Sequence, residues 1–103
     1  MKYHFKFGHG KKVIINVNET FETLGYKILK EYGISSEHLF CFEFSNGDAT
    51  NSASPLGPVN DRLGNVSIET KIKDRNVEIG EVMTLVYDYS GDWAKKIKLD
   101  AIE

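Results

Sequence analysis

Chemistry in this chain would have to come from a short set of side chains: Asp88, Asp92, His38, Cys41 and Trp93. The two aspartates flank a turn-forming Ser90-Gly91 in the stretch Tyr87-Asp88-Tyr89-Ser90-Gly91-Asp92-Trp93. Two carboxylates near one hairpin tip, with His38 brought beside them, would bind a divalent cation or act as an acid–base pair. The same residues have a second reading. An Asp entering a tight turn accepts backbone N–H bonds and fixes that turn. Trp93 then buries its ring and gives its indole N–H to a partner, for which these carboxylates are candidates. The turn reading carries more weight, because a metal site would need convergence across the fold. No catalytic residue, metal ligand or cofactor is assigned. His38, Asp88, Asp92 and Trp93 stand as candidate binding residues.

The other reactive types offer less. His4, His9 and His38 show no HxxxH or HxH spacing, so no preformed metal site is written locally. His9 reads as a solvated turn residue. His38 reads as a ring that packs and donates to a backbone carbonyl. Cys41 is the sole cysteine, which excludes an intramolecular disulfide. It lies in an apolar run and reads as a small buried hydrophobe. No GxSxG, P-loop, GxGxxG or CxxC pattern is present.

Strand and helix periodicities indicate what must position these groups. Tyr3, Phe5 and Phe7 alternate with Lys2, His4 and Lys6; Val13, Ile15 and Val17 alternate with Lys12, Ile14 and Asn16. With Gly8-His9-Gly10 between them, these runs predict an antiparallel hairpin. Phe21, Leu24, Gly25, Ile28, Leu29 and Tyr32 form one helical stripe. Thr20 or Asn18 can cap its start, and Gly33 suits the left-handed residue after its end. Gly25 inside the stripe predicts close approach of the helix to a sheet. Leu39 to Phe44 reads as a strand with Phe40, Phe42 and Phe44 on one face, packed on the helix or on the first hairpin.

Residues 45–65 read as a long irregular loop holding both prolines. Val59 to Leu63 suggests a helical turn within it. Val66 to Ile72 reads as a short edge strand, or Glu69 to Asp74 as one helical turn. Met83, Leu85, Tyr87 and Tyr89, then Lys95, Ile97, Leu99 and Ala101, predict a closing hairpin with the Tyr87–Trp93 stretch at its tip. There Trp93 would act as a buried clamp.

The pattern Tyr87-Asp88-Tyr89-Ser90-Gly91-Asp92-Trp93 resembles the Tyr-Asp-Phe-Gly-Asp-x-Trp signature of the plasmid pRiA4b ORF-3-like family. The helix before Gly33-Ile34 and the run His38-Leu39-Phe40-Cys41-Phe42 resemble further parts of that family, so the likeness spans roughly Val17 to Ile102. There are departures. Ser90-Gly91 replaces the usual Gly-Asp, Lys95 replaces a His that often follows the Trp, and Phe40 replaces a second His. The resemblance implies the same C-terminal hairpin and a plasmid or transposon context. It brings no activity with it.

At 103 residues the chain is one domain, 1–103, with 41% hydrophobic and 12% aromatic residues supporting a packed core. A net charge of −2 argues against a general nucleic-acid surface. It leaves room for two local lysine clusters, Lys2/Lys6/Lys11/Lys12 and Lys71/Lys73/Arg75/Lys95/Lys96/Lys98. If the two hairpins were neighbours, one basic face would meet phosphates. No run approaches the ~20 apolar residues of a membrane helix, and Met1 to Lys6 has no signal-peptide apolar core. The expectation is a cytoplasmic α+β domain. Its mixed or antiparallel sheet has about five strands, one helix covers one face, and the opening hairpin and helix resemble a β-grasp. A non-enzymatic binding or adaptor domain for a protein partner is the preferred function. A nucleic-acid-associated accessory protein and a metal-dependent hydrolase are the alternatives.

Overall fold

The structure, a computed structural model, describes residues 1–35, 37–59, 64–87 and 93–103. The opening hairpin forms as the alternation predicts. Strands β1 (Lys2–Phe7) and β2 (Lys11–Asn16) pair antiparallel, with Tyr3 opposite Ile15, Phe5 opposite Val13 and Phe7 opposite Lys11. Tyr3, Phe5, Phe7, Val13 and Ile15 are buried on one side; Lys2, Lys6, Lys12 and Ile14 lie on the other, and Lys11 alone of these lysines shares the buried face.

Helix α1 (Phe21–Glu31) follows. Thr20 caps it: its hydroxyl accepts from the Thr23 N–H at 3.2 Å. Gly33 ends it with φ of +70°, where a Cβ would be strained. Phe21, Leu24, Gly25, Ile28 and Leu29 are buried, the predicted stripe. A Cβ added at Gly25 would lie 2.1 Å from Phe40 Cε2. The missing side chain is therefore what lets the helix descend onto the sheet.

Strand β3 (Phe40–Glu43) sends Phe40 and Phe42 inward, and Phe44 follows them. They pack on the helix, settling which partner they choose. Phe21 meets Phe42 and Phe44 at centroid distances of 5.8 and 5.2 Å, and Tyr26 meets Phe40 at 5.1 Å. Strands β6 (Val82–Tyr87) and β7 (Trp93–Ile102) form the closing hairpin. Strand β7 begins at Trp93 itself, two residues before the predicted alternation resumes.

Two expectations are corrected between β3 and β6. The stretch 45–65 is not a bare loop. It carries β4 (Ser52–Ser54) and β5 (Gly57–Val59), a small hairpin that extends the sheet beyond β3. Three-residue strands are too short for an alternation to show. Tyr26 donates its hydroxyl to the Ser54 carbonyl at 2.6 Å, tying this hairpin to the helix. Val59 thus belongs to a strand, and the rest of the suggested turn at Val59–Leu63 lies outside the described residues. Of the two alternatives for the next segment, the edge strand is absent, and the single helical turn is present but shifted toward the C-terminus of Glu69–Asp74. The segment makes isolated bridges at Val66 and Lys71, then one 3-10 turn at Ile72–Arg75.

The described residues therefore form one α+β layer pair: a seven-stranded sheet in the order β2-β1-β7-β6-β3-β4-β5, crossed by one helix. Every strand pairing is antiparallel, which decides between the mixed and antiparallel alternatives, and seven strands replace the expected five. Among the described residues no helix is long and apolar enough to cross a membrane.

Candidate functional site

Tyr87 and Trp93 stand opposite each other where β6 meets β7. Both point to the helix side of the sheet, in line with Leu85 and Ile97. The helix stops short of this end, so the rings are covered by the segment at its C-terminal end. The Tyr32 ring stands edge-on to Trp93 at 5.3 Å and packs on Phe7 at 5.4 Å. Tyr87 meets the other side of Trp93 at 5.7 Å and donates its hydroxyl to the Ser35 carbonyl at 2.5 Å. That bond holds the segment after the helix against the hairpin.

His38 enters the same cluster. It is exposed, with its ring edge-on to Tyr87 at 5.8 Å. Two of the four candidate binding residues, His38 and Trp93, are thus joined through Tyr87. Asp88 and Asp92 lie outside the described residues. Trp93 is half-buried, not the fully buried clamp anticipated, because Tyr32 and the Lys95 side chain roof its ring only in part.

Two lysines complete the site. Lys95 lies two residues after Trp93 on the same strand face, and its Nζ is 5.6 Å from the Trp93 ring and 5.9 Å from Tyr32. Lys11 places its Nζ 5.6 Å from the Tyr32 ring and donates to the Glu31 carbonyl at the helix end at 3.3 Å. The Tyr32 hydroxyl is buried and has no hydrogen-bond partner among the described residues. It sits over Gly8, where a Cβ would come within 2.9 Å of it. Burial pushes the Tyr32 phenol up from its ordinary range. The arrangement offers aromatic surface under two ammonium groups. Among the described residues no three His, Cys, Asp or Glu side chains are grouped to hold a metal ion.

Sequence reasoning missed Tyr32, Lys11 and Lys95 as members of this site. Lys95 was legible in principle, since a residue two positions along a strand shares the face of Trp93. Tyr32 closes the helical stripe, but only the fold reveals that the stripe ends over Trp93.

A second cluster, also unanticipated, lies on the limb between β3 and β6. The Asp48 carboxylate accepts from the Asn65 amide at 2.9 Å, the Arg75 guanidinium at 2.8 Å and the Asn46 amide at 3.1 Å. These bonds, Asn65 first, then Arg75 and Asn46, pull its pKa from 3.8 to about 2. Arg75 also stacks 4.4 Å from the Phe44 ring centroid. Asn51 works as a bracket: its amide donates to the Val59 carbonyl at 2.8 Å and accepts from the Ile68 N–H at 2.7 Å. Its polar atoms are spent internally.

No protein-family model matches the chain, and no curated protein is recognisably similar to it. A solved structure of a protein of unknown function from Methanosarcina mazei Go1 is similar in fold, with a TM-score of 0.71 and 23% identity. The likeness covers 97% of this chain and 60% of that one, so this chain spans less than two thirds of that protein. At that identity the shared property is the fold alone.

Proposed function

We propose that this chain is a cytoplasmic, non-enzymatic binding domain that docks a protein partner on the cluster of Tyr32, Tyr87, Trp93 and His38. The observation that carries the reading is the half-buried Trp93 with Lys95 and Lys11 over its aromatic surroundings. Tyr and Trp are among the residue types that dominate protein interfaces, and the lysines beside them favour a partner of opposite charge. The partner surface that fits is an apolar anchor with an acidic rim. The relation to the plasmid pRiA4b ORF-3-like family belongs to the same proposal. Its support is that Tyr87 and Trp93 face each other across a C-terminal hairpin, as the resemblance implies.

Trp93 is the sole tryptophan, so its emission reports this site directly. Peptides selected from a displayed library should carry a large apolar residue flanked by Glu or Asp. They should change Trp93 emission, and Lys95→Glu should weaken them about tenfold. Selected peptides that leave the emission unchanged and bind Lys95→Glu equally would reject the reading.

One observation favours the nucleic-acid alternative. Strand β1 lies beside β7, so the two lysine-bearing hairpins are neighbours. Lys6 stands in register with Lys12 on one side and Lys98 on the other. Lys6 is also paired with Asp100 at 3.2 Å, which reduces the free charge of that row. Binding to a DNA duplex that weakens steeply with salt would support this second reading; a flat titration at low salt would remove it.

A further inference from the structure

The sheet has two outer strands, and they differ. Strand β5 is three residues long and contains Pro58, which has no N–H to offer. Strand β2 is six residues long and free of proline. The alternation of antiparallel pairs fixes which of its backbone groups are free. Lys2 exchanges both of its backbone bonds with Glu103, so Lys2, His4 and Lys6 address β7. Met1, one residue out of phase, accepts from the Val17 N–H. The groups of Lys11, Val13 and Ile15 therefore bond to β1, and those of Lys12 and Ile14 point away from the sheet. Neither residue has another backbone partner among the described residues. The side chain of Ile14 is 44% exposed on an otherwise lysine-rich edge.

Beside this edge runs a cavity of about 330 Å³ between β2 and α1. Its walls are Lys12, Val13 and Ile14 on the strand and Lys27, Lys30 and Glu31 on the helix. On the helix wall the ammonium groups of Lys27 and Lys30 stand with the one carboxylate of Glu31, while the Lys12 side chain shares the open sheet face with Ile14. A strand added to β2 would place every second side chain in this cavity. The others would lie on the open sheet face beside Ile14. We infer that the β2–α1 groove takes an extended acidic segment of a partner protein by strand addition. Backbone bonds to Lys12 and Ile14 supply the pairing, and carboxylates at alternate positions meet Lys27 and Lys30. The lysines on the strand itself discourage self-pairing of two copies, which would bring like charges together. This surface is separate from the aromatic cluster, with Lys11 between them, and either can fail without the other.

The test uses amide-resolved NMR on the full chain with a hexapeptide alternating Glu and Val. On titration the Lys12 and Ile14 amides should shift and become protected from hydrogen exchange, with Trp93 emission unchanged. Lys27→Glu combined with Lys30→Glu, both exposed on the helix, should weaken binding about tenfold or more while leaving the unbound spectrum folded. Ile14→Pro, placed on an edge strand, should abolish protection at the remaining site. Equal binding of a hexapeptide alternating Lys and Val would overturn the inference. So would protection confined to residues around Trp93, or Lys12 and Ile14 amides already protected in a dimer of the free protein.

Discussion

Around Trp93 the chain is held by rings; around Asp48 and Asn51 it is held by amides and a guanidinium. Both regions fasten irregular segments to the same sheet. The ring cluster has loose angular demands: Tyr32, Tyr87 and His38 all approach edge-on, and two lysines lie above. Its ring surface is only half covered, and its cations are tied to little beyond π faces. The amide cluster is closed on itself. Asp48 receives three side-chain donors and Asn51 both gives and takes a backbone bond. A region whose polar groups are satisfied internally serves as scaffold. A region with exposed aromatic surface beneath cations is available to a partner.

Substitutions can break this contrast. Asn51→Ala should cost the most, about 2–4 kcal/mol, because it leaves the Ile68 N–H and the Val59 carbonyl without their partner. Chemical denaturation measures it, and a loss below about 0.5 kcal/mol would mean that water replaces the bracket. Trp93→Ala should cost about 2 kcal/mol, less than the roughly 3–5 kcal/mol of a fully buried ring, since Trp93 is half-buried. It should also eliminate peptide binding at the cluster. A full-sized stability loss with binding intact would recast the cluster as scaffold.

Acid should separate the two regions. The folded Asp48 carboxyl titrates near 2, below its ordinary 3.8, so the unfolded chain takes up the proton first. The contribution of Asp48 is present above about pH 4 and is lost as pH falls toward 2. Asp48→Asn should flatten that part of the stability–pH curve, whereas Lys95→Glu should leave it in place. An unchanged slope in Asp48→Asn would show that the network does not couple to folding. The smallest effect is expected at Tyr32→Phe. Its hydroxyl is buried without a partner among the described residues, so removal should be neutral or stabilising by up to about 1 kcal/mol. A destabilisation above about 1 kcal/mol would point to a bond the hydroxyl makes in solution.

The same contrast explains how much of the molecule is legible in its sequence. The helix, its Thr20 cap, the Gly33 stop and both long hairpins follow from apolar spacing and turn chemistry, and all are present. The β4–β5 hairpin reads as loop, because three-residue strands rich in Ser, Gly and Pro leave no period to detect. The Asp48 network is invisible for a different reason. Asn46 and Asp48 are near in the chain, but Asn65 and Arg75 reach them from 17 and 27 residues away. Of the candidate site, the sequence singles out Trp93 and His38 and passes over Tyr32, Lys11 and Lys95.

What the sequence determined alone is everything governed by neighbours one to four residues apart. It set which faces are apolar and where the helix begins and ends. Tertiary structure alone decided which of these faces meet. The placement of β1 beside β7, the roofing of Trp93 by Tyr32 and the open edge of β2 depend on strand order. Strand order is fixed by how the buried faces close over one helix. That is a sum of long-range contacts, which no local spacing records.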